Sequence, residues 1–494
     1  MGIVKRQAFG NSVVQYAGVL IGFVNVTILF PNIFSADQFG LTRILVAIAA
    51  VYSQFSALGV NRTLIRFMPM FRTKDNKNNG LLLIGAIVPL VGFLLFTGLY
   101  VLFENLIIEN YNEKSALFID NYYLAIPFAL FMLYTLVLEA YLMGMFRTVF
   151  SYFLRHVFIR LLWMADILLY HFGVVDWETF LLLFVLAYAV NLAVLAIYLM
   201  TRGGFNFAIP MRFKRRSLFR AMRTYGLYSM FSGISNFLVN RIDIIMITFI
   251  TASGLNNAAI YAIAVYMASV IHVPAQAIAR ISFPLIADKW RTKDLEGISN
   301  IYAASARNQL ILGGGIFVLI WANIDNIFQI MPPEYAVGKW ALFFLGLAKL
   351  FDMASGVNGL IINATRFYRF DLYSSIFLLV LTVATNIWLI TLYGIVGAAV
   401  ATAFSVLLFN LMRFIYILVK LNLQPFNLKT LYTVLILVAV IYVQHFIPVM
   451  GDHYIIDLLI RSVIIMLLLS VPIYFLKLSE EINGVLDKMI SRSN

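Results

Sequence analysis

The chain has 494 residues, 62% of them hydrophobic and only 12% charged, with a mean hydropathy of +0.90. A soluble domain carries about 25% charged residues, so no water-soluble fold of this size could hide so much apolar surface, and the chain reads as a polytopic membrane protein. It has no cysteine, which excludes disulfides and thiolate metal sites, and its five scattered histidines argue against a histidine metal cluster.

The N-terminal stretch MGIVKRQAFGNSVVQ sets two positive charges ahead of a long apolar run holding Asn25 and Pro31. A cleaved signal peptide has a shorter apolar core and a small-residue cleavage site, so this run is expected to be a retained first span. Arg6 does not fit the myristoylation pattern. A spanning helix needs about 20 apolar residues. Fourteen such runs follow, near 11–33, 41–60, 81–103, 118–145, 149–172, 178–200, 225–250, 258–282, 300–325, 340–363, 370–391, 394–419, 430–449 and 455–477.

With the N-terminus inside, 30 of the 36 lysines and arginines fall in cytoplasmic segments or helix ends. That bias predicts both termini in the cytoplasm. It also accounts for the net charge of +13 without nucleic acid. The outer loops are short, and none is long enough for an extramembrane catalytic domain. No GxxxxGK[ST] loop is present, so the chain is not expected to drive transport with ATP by itself.

The basic stretch 201–224 reads as a linker between two lobes, 1–200 and 225–420, with 421–494 adding two helices and a tail. A parallel repeat is suggested by two matching stripes. Asn11, Gln15, Gly18, Gly22 and Asn25 share one helix face. An offset of 218 residues gives Ser229, Gly233, Asn236, Asn240 and Asp243, again all small or polar. Small residues at this spacing let membrane helices pack closely. The polar members Asn25, Asn236, Asn240 and Asp243 are equally the lining expected of a wet cavity. Arg241 stands ~200° around the helix from Asp243, so the two face different neighbours.

Other charges lie inside spans. Lys349 and Asp352 are three residues apart on one helix face, either a local ion pair or a cation facing an anionic ligand. Arg160 lies three residues before Trp163, and Asp166 six after Arg160. Arg43 and Arg461 sit near outer helix ends, where both can snorkel. His272 lies near mid-membrane, as hydrogen-bonded filler or as a proton relay. Prolines 89, 127, 274, 284 and 472 and the run Gly313-Gly314-Gly315 are places for kinks.

Four stretches carry a family resemblance: FPNIFSADQFGLTRIL after the first span, AIARISFPLIADKWRTKDLEGISNIYAASAR at 277–307, MPPEYAVGKWAL at 331–342 and YGIVGAAVATAFSVLLFNLMRF at 393–414. In these the chain resembles the polysaccharide and O-antigen flippases of the multidrug/oligosaccharidyl-lipid/polysaccharide exporter superfamily. The resemblance implies an all-α polytopic fold of about 14 transmembrane helices. Two six-helix lobes would form a parallel pseudo-two-fold repeat, followed by two C-terminal helices. It implies a non-enzymatic flippase, without cofactor or metal, moving an isoprenoid-pyrophosphate-linked oligosaccharide (an O-antigen, capsule or exopolysaccharide repeat unit) across a bacterial inner membrane by alternating access. Partners would be that lipid-linked substrate, membrane lipid, H+ or Na+, and a polysaccharide polymerase, with the chain acting as a monomer. A pyrophosphate calls for buried cations, and Arg241, Lys349 and Arg160 fit that role. Asp243, Asp166 and Asp352 are the coupling candidates. The alternatives are a cation-coupled multidrug exporter of the same fold, a lipid II-type flippase and a membrane-embedded enzyme of polysaccharide assembly. The absence of arginine from the first span argues against lipid II.

Overall fold

The computed structural model describes residues 2–487 except 74–77, 106–107, 109–115, 146, 202–215, 240, 368, 449–452 and 485–486. The described residues are almost wholly helical, as the sequence predicts. They divide into two compact units, Met1–Ala262 and Ile263–Asn494. Most of the expected linker, 202–215, lies outside the described residues.

The first unit opens with α1 (Gly2–Phe23), which loosens into a π-helical segment, Val24–Leu29, before Phe30–Ile33 completes the span. Pro31 has no amide hydrogen and clashes with the preceding turn, so a widened turn just before it is the expected accommodation. A capping box starts α2 (Ala36–Ser56): Ser35 accepts from the Gln38 amide, and the Gln38 side chain accepts from the Ser35 amide. After left-handed Leu58 and Gly59 the chain continues as α3 (Val60–Phe71). Then follow α4 (Leu81–Leu102), α5 (Ala125–Gly144) and Thr148–Phe153, leading through a second π-helical turn, Leu154–Phe158, into α6 (Ile159–His171). The unit closes with α7 (Trp177–Thr201), α8 (Arg216–Val239) and α9 (Ile242–Ile250). One apolar core joins Leu64, Phe67, Met68, Leu138, Tyr141, Leu195 and Leu199 across α3, α5 and α7.

The helix α10 (Gly254–Ile271) carries the chain into the second unit and stops at His272, where α11 (Val273–Arg291) begins. Pro274 in the first turn of α11 explains the stop. Next come α12 (Leu295–Ala322), α13 (Lys339–Ala354) and α14 (Asn358–Ala364); the last two bend by 47° as a broken span. The helix α15 (Arg369–Leu421) has Gly394 at φ 57° inside it. A side chain is strained at that angle, and glycine is not. The Thr385 and Ser405 hydroxyls hydrogen bond at 3.2 Å, whereas twenty residues along a straight helix span about 30 Å. So α15 is two antiparallel helices hinged at Gly394. The unit ends with α16 (Leu428–Val443) and α17 (Tyr454–Phe475), packed on α12 through Phe317, Leu437, Val440, Ile465 and Leu469.

Ten helices among the described residues are long and apolar enough to cross a membrane, eleven if the bent pair at Pro333–Ala354 and Asn358–Ala364 is one span. Fourteen runs were expected from the sequence. The difference lies in breaks: α15 supplies two runs, 149–172 is interrupted by its π-turn, and in 225–250 one described helix ends at Val239 and the next begins at Ile242.

Candidate functional site

The second π-helical segment, Leu154–Phe158, packs against α1. Gly18 of α1 lies so close to it that an added Cβ would stand 2.4 Å from the His156 carbonyl oxygen. Arg160, one turn on, is tied to the first span twice. Its guanidinium donates to the Gly18 carbonyl, and its own carbonyl accepts from Asn25 Nδ2 at 2.8 Å. Asn25 is buried, and its Oδ1 has no hydrogen-bond partner among the described residues. Gln15, Gly18, Gly22 and Asn25 are all buried, so this part of the stripe is a packed face. The side chains of Asn11, Gly233 and Asn236, and the whole of Asn240, lie outside the described residues.

Arg241 occupies the break between α8 and α9, with its amide donating to the Leu238 carbonyl. Its half-buried guanidinium makes no hydrogen bond or ion pair among the described residues. It lies in electrostatic reach of Arg43, Arg155 and Tyr188. Tyr188 of α7 is the shared neighbour: Arg43, Arg155, Arg160, Arg241 and Glu139 all act on it. Arg155 pairs with Glu139 at 3.2 Å, and the Arg155 side chain is 57% exposed. Arg43 does not snorkel outward. Its guanidinium sits 4.7 Å from the Phe30 ring centre, 5.1 Å from Phe39, and 5.9 Å from Trp163 and from Phe184. Its Nη2 is buried without a hydrogen-bond partner among the described residues.

Of these arginines the sequence singles out Arg160 and Arg241 as candidates; it places Arg43 at a helix end and gives no sign of Arg155 or Tyr188. No local signal marks this place: Phe30, Phe39, Trp163 and Phe184 come from four separate segments, and only folding gathers them.

The carboxylates divide. Asp243 is buried in the first turn of α9, where a helix N-terminus favours negative charge, and it accepts from the Tyr261 hydroxyl at 2.9 Å. Asp166 of α6 has a buried Oδ2 with no partner among the described residues. Asp352, in the second unit, pairs with His272 Nε2 at 2.9 Å rather than with Lys349, and accepts from Asn410 Nδ2 at 3.1 Å. Lys349 is left without an ion pair among the described residues. The second unit's other intramembrane arginines are held structurally. Arg413 pairs with Asp371 and lies over the Phe409 ring, and Arg461 pairs with Asp457 at 3.0 Å while donating to the carbonyls of Gln444, Ile447 and Pro448.

The chemistry available in the first unit is therefore anion binding. Guanidinium groups match phosphate oxygens through paired N–H donors and stay charged, and aromatic faces beside them suit the flat apolar faces of a sugar or an isoprenoid. Among the described residues no group of three or more histidines or carboxylates could hold a metal ion.

The fold defines a class, that of all-helical multi-pass membrane proteins, and comparison with known proteins gives the family. The family model described as polysaccharide biosynthesis protein matches residues 4–290, more than half of the chain. The chain belongs to that family. An uncharacterised membrane protein of Methanocaldococcus jannaschii is 22% identical over 94% of this chain and 95% of its own length. A probable low-salt glycan biosynthesis flippase, Agl15, of Haloferax volcanii is 26% identical over 38% of this chain and 39% of its own. Among solved structures, the lipid II flippase MurJ in an inward closed conformation superposes with a TM-score of 0.69 at 12% identity, over 96% of this chain and 99% of that one. An inward-facing multidrug resistance MATE transporter of the MOP superfamily gives 0.59 at 14% identity, over 85% and 95%. At those identities the likeness shows the shared fold.

Proposed function

We propose that the chain is a flippase for an isoprenoid-linked oligosaccharide whose sugar is joined to its lipid through phosphate or pyrophosphate. The observation that carries this reading is the gathering of Arg43, Arg155, Arg160 and Arg241 around Tyr188, with Glu139 as the one carboxylate acting on that tyrosine. Like charges brought near one another repel unless something opposite in charge arrives, and a phosphate-anchored substrate supplies it. Arg241 and Arg43 are the direct phosphate ligands. Arg160 helps through its charge while bracing the first span. Lys349 is a second cation on the path. Asp166 and Asp243 are the coupling candidates of the first unit. The family and the glycan flippase relative point the same way.

In this reading the protein lies in the cell membrane, both termini are cytoplasmic, and the lobes 1–200 and 225–420 work by alternating access, with 421–494 appended. The substrate is a repeat unit of a surface glycan such as O-antigen, capsule or exopolysaccharide. Drug export fits the fold but not the charge, since a cationic drug would be repelled by the arginines. The test is a deletion strain. Loss of one surface glycan, with its lipid-linked precursor trapped on the cytoplasmic side, is the expected result. Intact glycans with new sensitivity to cationic drugs would replace this reading with drug export.

A further inference from the structure

The second unit contains a layer where two spans break side by side. The boundary of α10 and α11 falls at His272, and α13 ends at Ser355 with left-handed Gly356 before α14 begins at Asn358. Each break is built into the sequence, by Pro274 in one and Gly356 in the other. An added Cβ on Gly356 would stand 2.9 Å from Ala306 of α12, so the second break is wedged against that helix.

The polar groups freed at this level form one chain. His272 Nε2 meets Asp352 Oδ2 at 2.9 Å, Asn410 Nδ2 donates to Asp352 Oδ1 at 3.1 Å, and Asn358 Nδ2 donates to Asn410 Oδ1 at 2.9 Å. It runs from the first break to the second through the later half of α15. Its single ion pair is also its most accessible part, with the His272 and Asp352 side chains 28% and 41% exposed, whereas Asn358 and Asn410 are buried.

The charged groups acting on Asp352 are His272, Lys349 and Arg413. Arg413 is committed to Asp371. On the packed helix α12, Arg307 is engaged by Glu481 and Tyr302 is buried. Lys349 lies one turn before Asp352 on the same helix face and has no ion pair among the described residues. Asp352 thus has a hydrogen-bonding partner, His272, across the helix gap and a cation, Lys349, along its own helix.

We infer that His272 and Asp352 form a proton-binding site, with Lys349 as the exchange partner, and that its occupancy sets whether the α10–α11 junction is tied to α13. With the proton bound, imidazolium and carboxylate tie α10–α11 to α13. When His272 gives its proton to water, the neutral ring no longer competes with Lys349. Asp352 stays ionised and turns to the lysine, releasing the tie across the gap. One proton leaves, and no other bond is made or broken. The inference rests on the transport reading only for its use, which would be to let a proton gradient drive the flippase.

The absence of cysteine from the chain gives a direct test. Thiols placed at Thr292, just past α11, and Trp340, at the start of α13, carry spin labels in the full-length protein in liposomes, and their distance distribution is followed from pH 5 to 8. Two populations are expected, their ratio changing by up to tenfold per pH unit for one linked proton. His272→Gln and Asp352→Asn should each remove the pH dependence. His445→Gln should leave it intact. Lys349→Met should restrict the change at the alkaline end. A wild-type distribution that is the same at both pH extremes overturns the inference, and so does a His272→Gln or Asp352→Asn protein that titrates like wild type. No substrate is needed, so the flippase reading can fail in the deletion strain while this result stands.

Discussion

If Arg241 serves substrate and not structure, function and stability should separate when its charge is removed. Arg241→Gln deletes no ion pair and no side-chain hydrogen bond among the described residues. It removes a positive charge from the field of Arg43 and Arg155. Two like charges in contact at an effective dielectric of 20 repel by about 4 kcal/mol, and the repulsion falls inversely with distance. A relief of about 1–2 kcal/mol is therefore available to offset the packing lost with the guanidinium. The thermal midpoint of the purified protein in detergent should stay level or rise, while export of the surface glycan is lost. Arg413→Ala is the counter-case. It leaves the half-buried Asp371 without its partner, and losing one member of such a pair costs up to about 3–5 kcal/mol, so the midpoint should fall. The assay is thermal unfolding followed by size-exclusion, run beside a glycan blot of cells expressing each variant at matched levels. A clear loss of stability in Arg241→Gln, comparable with Arg413→Ala, would refute the argument, since it would show that Arg241 holds a structural contact. So would normal export.

Other expectations follow from the same geometry. Arg43→Leu keeps apolar contact with Phe30, Phe39, Trp163 and Phe184 but removes the charge, so export should fall while the protein reaches the membrane at wild-type levels; immunoblots of membrane fractions beside glycan blots check this. Gly59→Ala should destabilise by about 2–4 kcal/mol, because Gly59 has φ 74° and an added Cβ would stand 2.1 Å from the Gly226 carbonyl oxygen; the unfolding midpoint reports it. Outside the membrane, Asp294 caps α12 by accepting from the Gly297 amide at 2.8 Å. The Lys289 ammonium at 2.6 Å, together with that amide, holds its carboxyl below the usual range. A carboxylate depressed in the folded state stabilises fully above its unfolded value, near 4, and the contribution is lost as pH falls through the lower folded value. Amide exchange at the start of α12 should therefore speed up only on that acid side, and Asp294→Asn should remove the step.

The helices were legible because apolar length is a one-dimensional property. Their breaks were legible only in part. Pro274, one of the expected kinks, stands where α10 ends, since a missing amide hydrogen is visible in the sequence; Pro31, just past the first π-turn, is not among the expected kinks. The turn at Gly394 reads as two runs, 370–391 and 394–419, yet nothing local says that the residues between them remain helical up to a single glycine. The π-turn at Leu154–Phe158 has no proline or glycine of its own. Its context is the close approach of Gly18, some 140 residues away in the chain.

The site was less legible for a related reason. Sequence position along a span tells how deep a charge lies, and depth alone made Arg43 and Arg461 equivalent. Folding separates them. Arg461 meets Asp457 one turn away on its own helix and three carbonyls at the end of its neighbour, so its charge is spent on structure. Arg43 meets four aromatic rings and keeps one nitrogen unpartnered among the described residues, so its charge is still available. The same distinction sorts Lys349 from Arg413 in the second unit. An arginine inside a span thus points to function not because it is buried but because, once buried, it has been left unpaired, and pairing is a property of the fold. For this chain that criterion picks Arg43 and Arg241 from opposite ends of the first unit's sequence. If the two are ligands of one phosphate group, replacing both by glutamine should lower export no further than either replacement alone.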